Sequence, residues 1–330
     1  VPARVGEDAA DDPAVWIHPE DIMKSTIIGT NKKDGLGVYN LDGKEIYYYS
    51  FGKINNVDVR YGFPLQDDTI DIAAGSNRTD NTILLLKIDP QTGELIPVSF
   101  RKIVSGVSEV YGIALYVSRK NNEFYVFVNG KDGQVEQWKL FARGNKIDGE
   151  RVRDFHVGGQ TEGMVADDKP GVIFIGEEQG CIWKYNAEPD AGNQRIKIPL
   201  SDTSNENMAY DIEGLAIYHA GEEDGYLIAS SQGNYSYALF ERSGENQYIA
   251  SFSIEDGIID GAEETDGLEV TNLKFGNKYP YGFLVVQDGF NYDNDTLVNQ
   301  NFKIVSWESV AALLAPKLTM NNRYEPFRKR

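Results

Sequence analysis

Residues 211–218 read Asp-Ile-Glu-Gly-Leu-Ala-Ile-Tyr: acids, a glycine, then an apolar run of strand-forming residues. The phrase is not unique in the chain. An acid or a tyrosine opens an apolar strand at Asp12-Pro13, Asp58-Val59, Tyr111-Gly112, Glu162-Gly163, Glu213-Gly214 and Asp266-Gly267. The six copies stand roughly 46–53 residues apart, the period of propellers and other repeat arrays.

Each repeat holds a second apolar run, at 25–30, 69–76, 123–130, 171–178, 225–232 and 281–288. A tight polar turn follows, then a third run such as 82–88 or 134–140, and in most repeats a fourth, such as 45–51 or 248–254. Strand runs broken by Gly, Asn and Asp signal hairpins. Six repeats of about four strands predict an all-β, six-bladed propeller with mostly four-stranded antiparallel blades. Helical periodicity is confined to 306–314. No linker or composition shift divides the chain, so residues 1–316 read as one propeller domain and 317–330 as a loose C-terminal extension. Residues ahead of Asp11 are placed to lend a strand to the last blade.

The formal net charge of −19 argues against nucleic acid and anionic membrane surfaces as partners, since both want Lys and Arg patches. Cys181 stands alone, so no internal disulfide is possible. No apolar stretch approaches a membrane span. The chain begins at Val1, which reads as a mature form whose export signal has been removed. A secreted protein, extracellular or periplasmic, is therefore expected.

In a propeller the turns after the second strands open on one face around the channel. They read Asn31-Lys32-Lys33, Asn77-Arg78, Gly130-Lys131-Asp132, Glu177-Glu178, Ser231-Gln232 and Asp288-Gly289-Phe290-Asn291. Three blades offer cations and three offer oxygen ligands. The first-strand entries add Asp11, Asp12, Asp58, Glu162, Asp211, Glu213, Asp260 and Asp266, with no His or Cys among them. Hard oxygen donors suit Ca²⁺ or Mg²⁺ rather than zinc. Turn-forming alone explains Asp34-Gly35, Asp42-Gly43 and Asp132-Gly133, but not Glu177-Glu178, because Glu is no turn former. His18, His156 and His219 lie outside these turns and read as surface or packing residues. Clustered carboxylates with cations among them, facing Lys and Arg, predict a site for a ligand with many negative charges. Phosphate is the natural choice. A Cys-x5-Arg loop, an Arg-His-Gly motif, a Gly-x-Ser-x-Gly elbow and a phosphate-binding Gly-x4-Gly-Lys loop are all absent from the sequence.

These turns also carry a family resemblance. DAADDPAVW from Asp8, TNKKDGLGVY from Thr30, NNVDVRY from Asn55, EVYGIALY from Glu109 and QTEGMVADD from Gln160 resemble the β-propeller phytases. So do EEQGCIWKY from Glu177, SSQGNYSYALFER from Ser230, ETDGLEV from Glu264, QDGFN from Gln287 and NQNFKIVSWE from Asn299. These are the alkaline, calcium-dependent 3-phytases of bacteria, and the likeness runs over residues 8–308. The resemblance implies stepwise hydrolysis of myo-inositol hexakisphosphate and lower inositol phosphates, taken as calcium complexes, by a metal-bridged water or hydroxide. It implies several Ca²⁺ ions and a monomer.

By the same resemblance Asp11, Tyr111, Glu162, Glu178, Asp211, Glu213 and Asp266 line the catalytic calcium site. Lys32, Arg78 and Lys131 hold the phosphate under attack, with Lys33 and Gln232 close by. Asp12, Pro13 and Val57 match one structural calcium site, and Asp260, Asn291 and Asp293 another. Phe290 departs from the family pattern, in which an acid precedes the matching Asn. Two other classes fit the fold. A calcium-dependent lactonase or arylesterase would need fewer cations than Lys32, Arg78 and Lys131. A non-catalytic binding propeller would need an exposed apolar rim and would not require Glu177-Glu178 beside Asp211-Ile212-Glu213.

Overall fold

In the computed structural model, which describes residues 1–314 and 317–325, six antiparallel sheets stand radially around one axis. The inner strands are Ala10–Trp16, Ile54–Leu65, Val110–Val117, Thr161–Asp167, Ile212–His219 and Leu268–Thr271. Blades one, three, four and five are four-stranded meanders. In blade two a short strand, Ile103–Val104, pairs beside the fourth strand on the same neighbour. The second strands, such as Thr26–Asn31 and Val172–Glu177, fall within a residue or two of the runs read from sequence.

The core lies between the blades. Six apolar clusters fill the six gaps, one per interface, because each sheet is buried on both faces and must be apolar on both. The gap between blades six and one is filled by Val15, Ile27, Phe275, Phe283 and their neighbours, which closes the ring. Trp307, fully buried in the single described α-helix Trp307–Leu313, stacks on Tyr218 with ring centroids 4.2 Å apart.

Two expectations fail here. Blade six has three strands, Leu268–Thr271, Phe283–Asp288 and Asn301–Ser306, and residues 1–9 add none. They are tied instead to the turn at 299–300. Gln300 Oε1 accepts from the backbone N–H of Ala9 and Ala10, and Asn299 Nδ2 donates to the carbonyls of Val1 and Ala3. The segment 317–325 is not loose either. Leu318 is buried in the cluster between blades five and six, and Asn272 Nδ2 donates to the carbonyls of Asn321 and Tyr324. The basic end, Arg328-Lys329-Arg330, lies outside the described residues.

Candidate active site on the channel face

One irregularity positions the site. Five inner strands slip register at their second and third residues: Asp11-Asp12, Asn55-Asn56, Tyr111-Gly112, Glu162-Gly163 and Glu213-Gly214. Such bulges re-aim a side chain. The residue before each bulge pairs with the last residue of the second strand, for example Ala10 with Asn31, Ile54 with Asn77 and Thr161 with Glu177. The next residue on either strand therefore opens onto the same face. That register places Asp11 beside Lys32, Asn55 beside Arg78, Tyr111 beside Lys131 and Glu162 beside Glu178.

The acids converge. Carboxylate oxygens of Glu162, Glu178 and Glu213 lie within 4.8 Å of one another, and all three residues are buried. Asn55 Nδ2 donates to Glu162 Oε1 at 2.7 Å, and Gln160 Nε2 to Glu178 Oε1 at 2.8 Å. Gln232 Nε2 donates to Asp266 Oδ1 at 2.6 Å. Burial and neighbouring acids push these groups up: Glu178, beside Asp211, to about 7, and Asp266, beside Asp11, to about 7 despite Lys32. Burial followed by the Glu162 charge raises Asp11 and Glu213 well above the ordinary carboxylate range. Burial and the Glu162 and Glu213 charges likewise raise the Tyr111 hydroxyl, keeping it neutral. Glu213 Oε2 is buried without a hydrogen-bond partner. An orphaned carboxylate oxygen in a cluster of oxygen donors alone fits a hard divalent cation.

The cations are not a free bank. Lys32 Nζ sits among Asp8 at 2.8 Å, Asp11 at 3.1 Å and Asp266 at 2.8 Å. Burial would lower its pKa, but those three carboxylates outweigh burial and raise it. Arg78 and Lys131 both pair with Glu109, and both lie over the Tyr111 ring. Lys33 is exposed. Asp211 Oδ1 accepts from Gln179 Nε2 at 2.7 Å.

Asp12, Pro13 and Val57 meet at the top of the central channel, where Asp12 Oδ2 accepts from the Val57 N–H at 3.0 Å. Asp260, Asn291 and Asp293 line a separate cleft at the blade-six rim. There Lys303 Nζ pairs with Asp260 Oδ2 at 3.0 Å and Asp288 Oδ2 at 3.1 Å. Phe290 lies edge-on to Tyr235, at a centroid distance of 6.5 Å. Asp58 does not reach the site: its carboxylate pairs with Arg60 at 2.9 Å, lower in the channel. Asn55, Gln160, Asp8 and Glu109 were not singled out in sequence, though Asn55 holds the register position of Asp11, Tyr111, Glu162 and Glu213.

A propeller whose channel face gathers buried acids beside Lys and Arg is arranged as a hydrolase for anionic esters. Comparison with known proteins narrows that class. The family model described as Phytase matches residues 2–330, and the chain belongs to the phytase family. The 3-phytase of Bacillus subtilis (strain 168) is 49% identical over 331 residues, covering 98% of this chain and 86% of the relative. Among solved structures, BBS1N in complex with ARL6DN aligns with a TM-score of 0.50 at 12% identity, over 89% of this chain and 78% of that one. That likeness concerns the fold alone.

Proposed function

We propose that this chain hydrolyses phosphomonoesters of phytate and of lower inositol phosphates, taken as calcium complexes, with calcium held in the acidic cluster. Membership of the phytase family makes it a phosphoric monoester hydrolase. The observation that carries the calcium reading is the convergence of Glu162, Glu178 and Glu213 within 4.8 Å, with an orphaned Glu213 oxygen among them. Bound there, calcium would offset phosphoryl charge and lower the pKa of a water that serves as nucleophile.

The chain's own residues divide the remaining work. Glu162, Glu178, Asp211 and Glu213, with Asp11 and Asp266, hold the cation. Lys32, Arg78 and Lys131 bind phosphoryl oxygens and stabilise the charge that builds on them in the transition state. Tyr111 lies beneath Arg78 and Lys131 as a neutral hydroxyl. Lys33 and Gln232 lie where a neighbouring phosphate of the same substrate could be held, so that remote binding orients the first. Asp12, Pro13 and Val57, and separately Asp260, Asn291 and Asp293, serve as structural calcium sites. The protein acts as a secreted monomer. No helix among the described residues is long and apolar enough to cross a membrane.

The test is phosphate release from phytate with and without added Ca²⁺, after chelation and dialysis. Full activity in the metal-free sample would overturn the calcium reading. Lactone opening without phosphate release would overturn the substrate.

A further inference from the structure

Glu109 stands just ahead of the inner strand Val110–Val117, and its carboxylate is the shared partner of two phosphate-binding cations. Its Oε1 accepts from Arg78 Nε at 2.9 Å and from Arg78 Nη2, and lies 3.6 Å from Lys131 Nζ. The Nε–Nη2 edge of the guanidinium is thus occupied. Nη1 donates to Asn55 Oδ1 at 3.0 Å, and Asn55 Nδ2 donates on to Glu162 Oε1 at 2.7 Å. A continuous chain of hydrogen bonds runs from Glu109 at the rim, through Arg78 and Asn55, to the acidic cluster. Below it the Tyr111 ring lies 4.7 Å from Lys131 Nζ and 5.7 Å from Arg78 Cζ.

Glu109 is 42% exposed in its side chain, so the core does not need it. Exposed ion pairs of this kind contribute little to stability. Arg78 and Lys131 would repel each other if left side by side, and one carboxylate between them removes that repulsion. The same charge also opposes any phosphate dianion that reaches the pair. Two consequences follow from one side chain: an oriented guanidinium, and a weakened hold on phosphate.

We propose that Glu109 is a positioning residue for the phosphate subsite: it fixes Arg78 and Lys131 as a pair, and its charge limits how tightly phosphate is retained. The proposal rests on the assignment of Arg78 and Lys131 to phosphate binding. A gain in ground-state affinity adds nothing to turnover. A carboxylate that weakens product retention costs the enzyme nothing at the chemical step while it keeps Arg78 in place.

The two roles separate by substitution. Glu109→Gln keeps an oxygen that accepts from Arg78 but removes the charge. Glu109→Ala removes both. A unit charge at about 6 Å, in a medium between protein surface and water, changes affinity about tenfold. In calcium-loaded full-length protein, Glu109→Gln is expected to lower KM for phytate and the inhibition constant of inorganic phosphate by about five- to tenfold. Its kcat should stay within about threefold of the parent's. Glu109→Ala should lower kcat/KM about tenfold or more, because Arg78 loses its anchor. Both melting temperatures should stay within about 2 °C of the parent's, and inorganic phosphate titrated calorimetrically gives a second reading of affinity.

Two results would overturn the proposal. One is a Gln variant whose phosphate inhibition constant lies within twofold of the parent's. The other is a folded Ala variant with the parent's kcat/KM. If Glu109→Ala fails to fold, the Gln variant still decides. Parent enzyme assayed in parallel separates this from the functional reading, since only failure of that reading leaves the parent without phosphate release.

Discussion

Chelating the metal should make stability fall more steeply as pH rises. In the metal-free chain, burial and neighbouring acids raise Glu178 and Asp266 to about 7, whereas unfolded carboxylates titrate near 4. Between those values the folded chain holds protons that the unfolded chain has lost. Unfolding free energy therefore falls as pH rises, and the loss is complete only above the folded pKa. For a group at about 7, the integral from pH 6 to 8 is about 1.4 kcal/mol, so the pair costs about 3 kcal/mol.

His219 works the other way. Burial and the Arg242 and Arg60 charges lower its pKa well below 6.5, so it regains about 1 kcal/mol over the same range. Groups with depressed pKa, such as Glu136 and Asp148, titrate below the window. Glu269, which burial and the Asp58 charge raise to about 8, costs about 2 kcal/mol more over this range. These four groups net to a loss of about 4 kcal/mol, or about 6 °C in melting temperature for a chain of this size, and Asp11 and Glu213 add in the same direction. Calcium would hold the cluster carboxylates ionised and displace their protons, so with metal the melting temperature should fall less from pH 6 to 8 than it does without metal. Thermal melts at pH 6, 7 and 8, in chelator and in excess Ca²⁺ at fixed ionic strength, make the test. A metal-free melting temperature that is flat or rising over that range would refute the reasoning.

Glu178→Gln and Lys131→Ala should each cut turnover on phytate about 100-fold or more while circular dichroism and elution volume stay unchanged; parent turnover in both rejects the site. Leu318→Ala should cost about 2–3 kcal/mol, read as a lower urea midpoint, because Leu318 is 7% exposed in the cluster between blades five and six. Gly163→Ala should lower both activity and melting temperature. A Cβ there would stand 2.0 Å from the Glu213 carbonyl oxygen, so the strands carrying Glu162 and Glu213 must part. Gly257→Ala, with open space around it, is the control and should match the parent in both assays.

The ring was legible because its period is written in strong signals: apolar runs of strand length separated by turn residues. The site was legible where one strand position repeats, as at Asp11, Tyr111, Glu162 and Glu213. It was less so where function depends on partners. Lys32 read as one of three cations awaiting phosphate, yet without metal it neutralises Asp8, Asp11 and Asp266. Asp58 shared the motif but sits four residues beyond Ile54, past the bulge, and so faces Arg60 instead. Glu109 is not in the repeat at all. Its role arises from a contact with Arg78, thirty-one residues away in a different blade. The packing of 317–325 was hidden because its anchors, Leu318, Met320 and single asparagine amides, carry no periodicity.

The acid–glycine phrase has a steric cause that joins fold to chemistry. A Cβ on Gly112 would stand 1.8 Å from the Glu162 carbonyl oxygen, and one on Gly214 would stand 2.8 Å from that of Asp266. On Gly267 it would stand 2.3 Å from Asp12 Oδ1 and 2.8 Å from the Asp11 carbonyl oxygen. Gly214 and Gly267 also donate their N–H groups to the carbonyls of Asp266 and Asp11, each at 2.9 Å. In blades three to six the inner strand thus rests on the backbone of the next blade, and only a residue without a side chain fits at the contact. The residue just before the glycine is then committed to the channel, whatever its identity. Blades three to six share the glycine, so the ring fixes where those side chains go and leaves open what they are. Glu162, Glu213 and Asp266 fill three such places with acids, and Tyr111 fills the fourth. A mutually repelling cluster is held in place by backbone contacts that those side chains do not make, which is why removing one should abolish chemistry before it disturbs the fold.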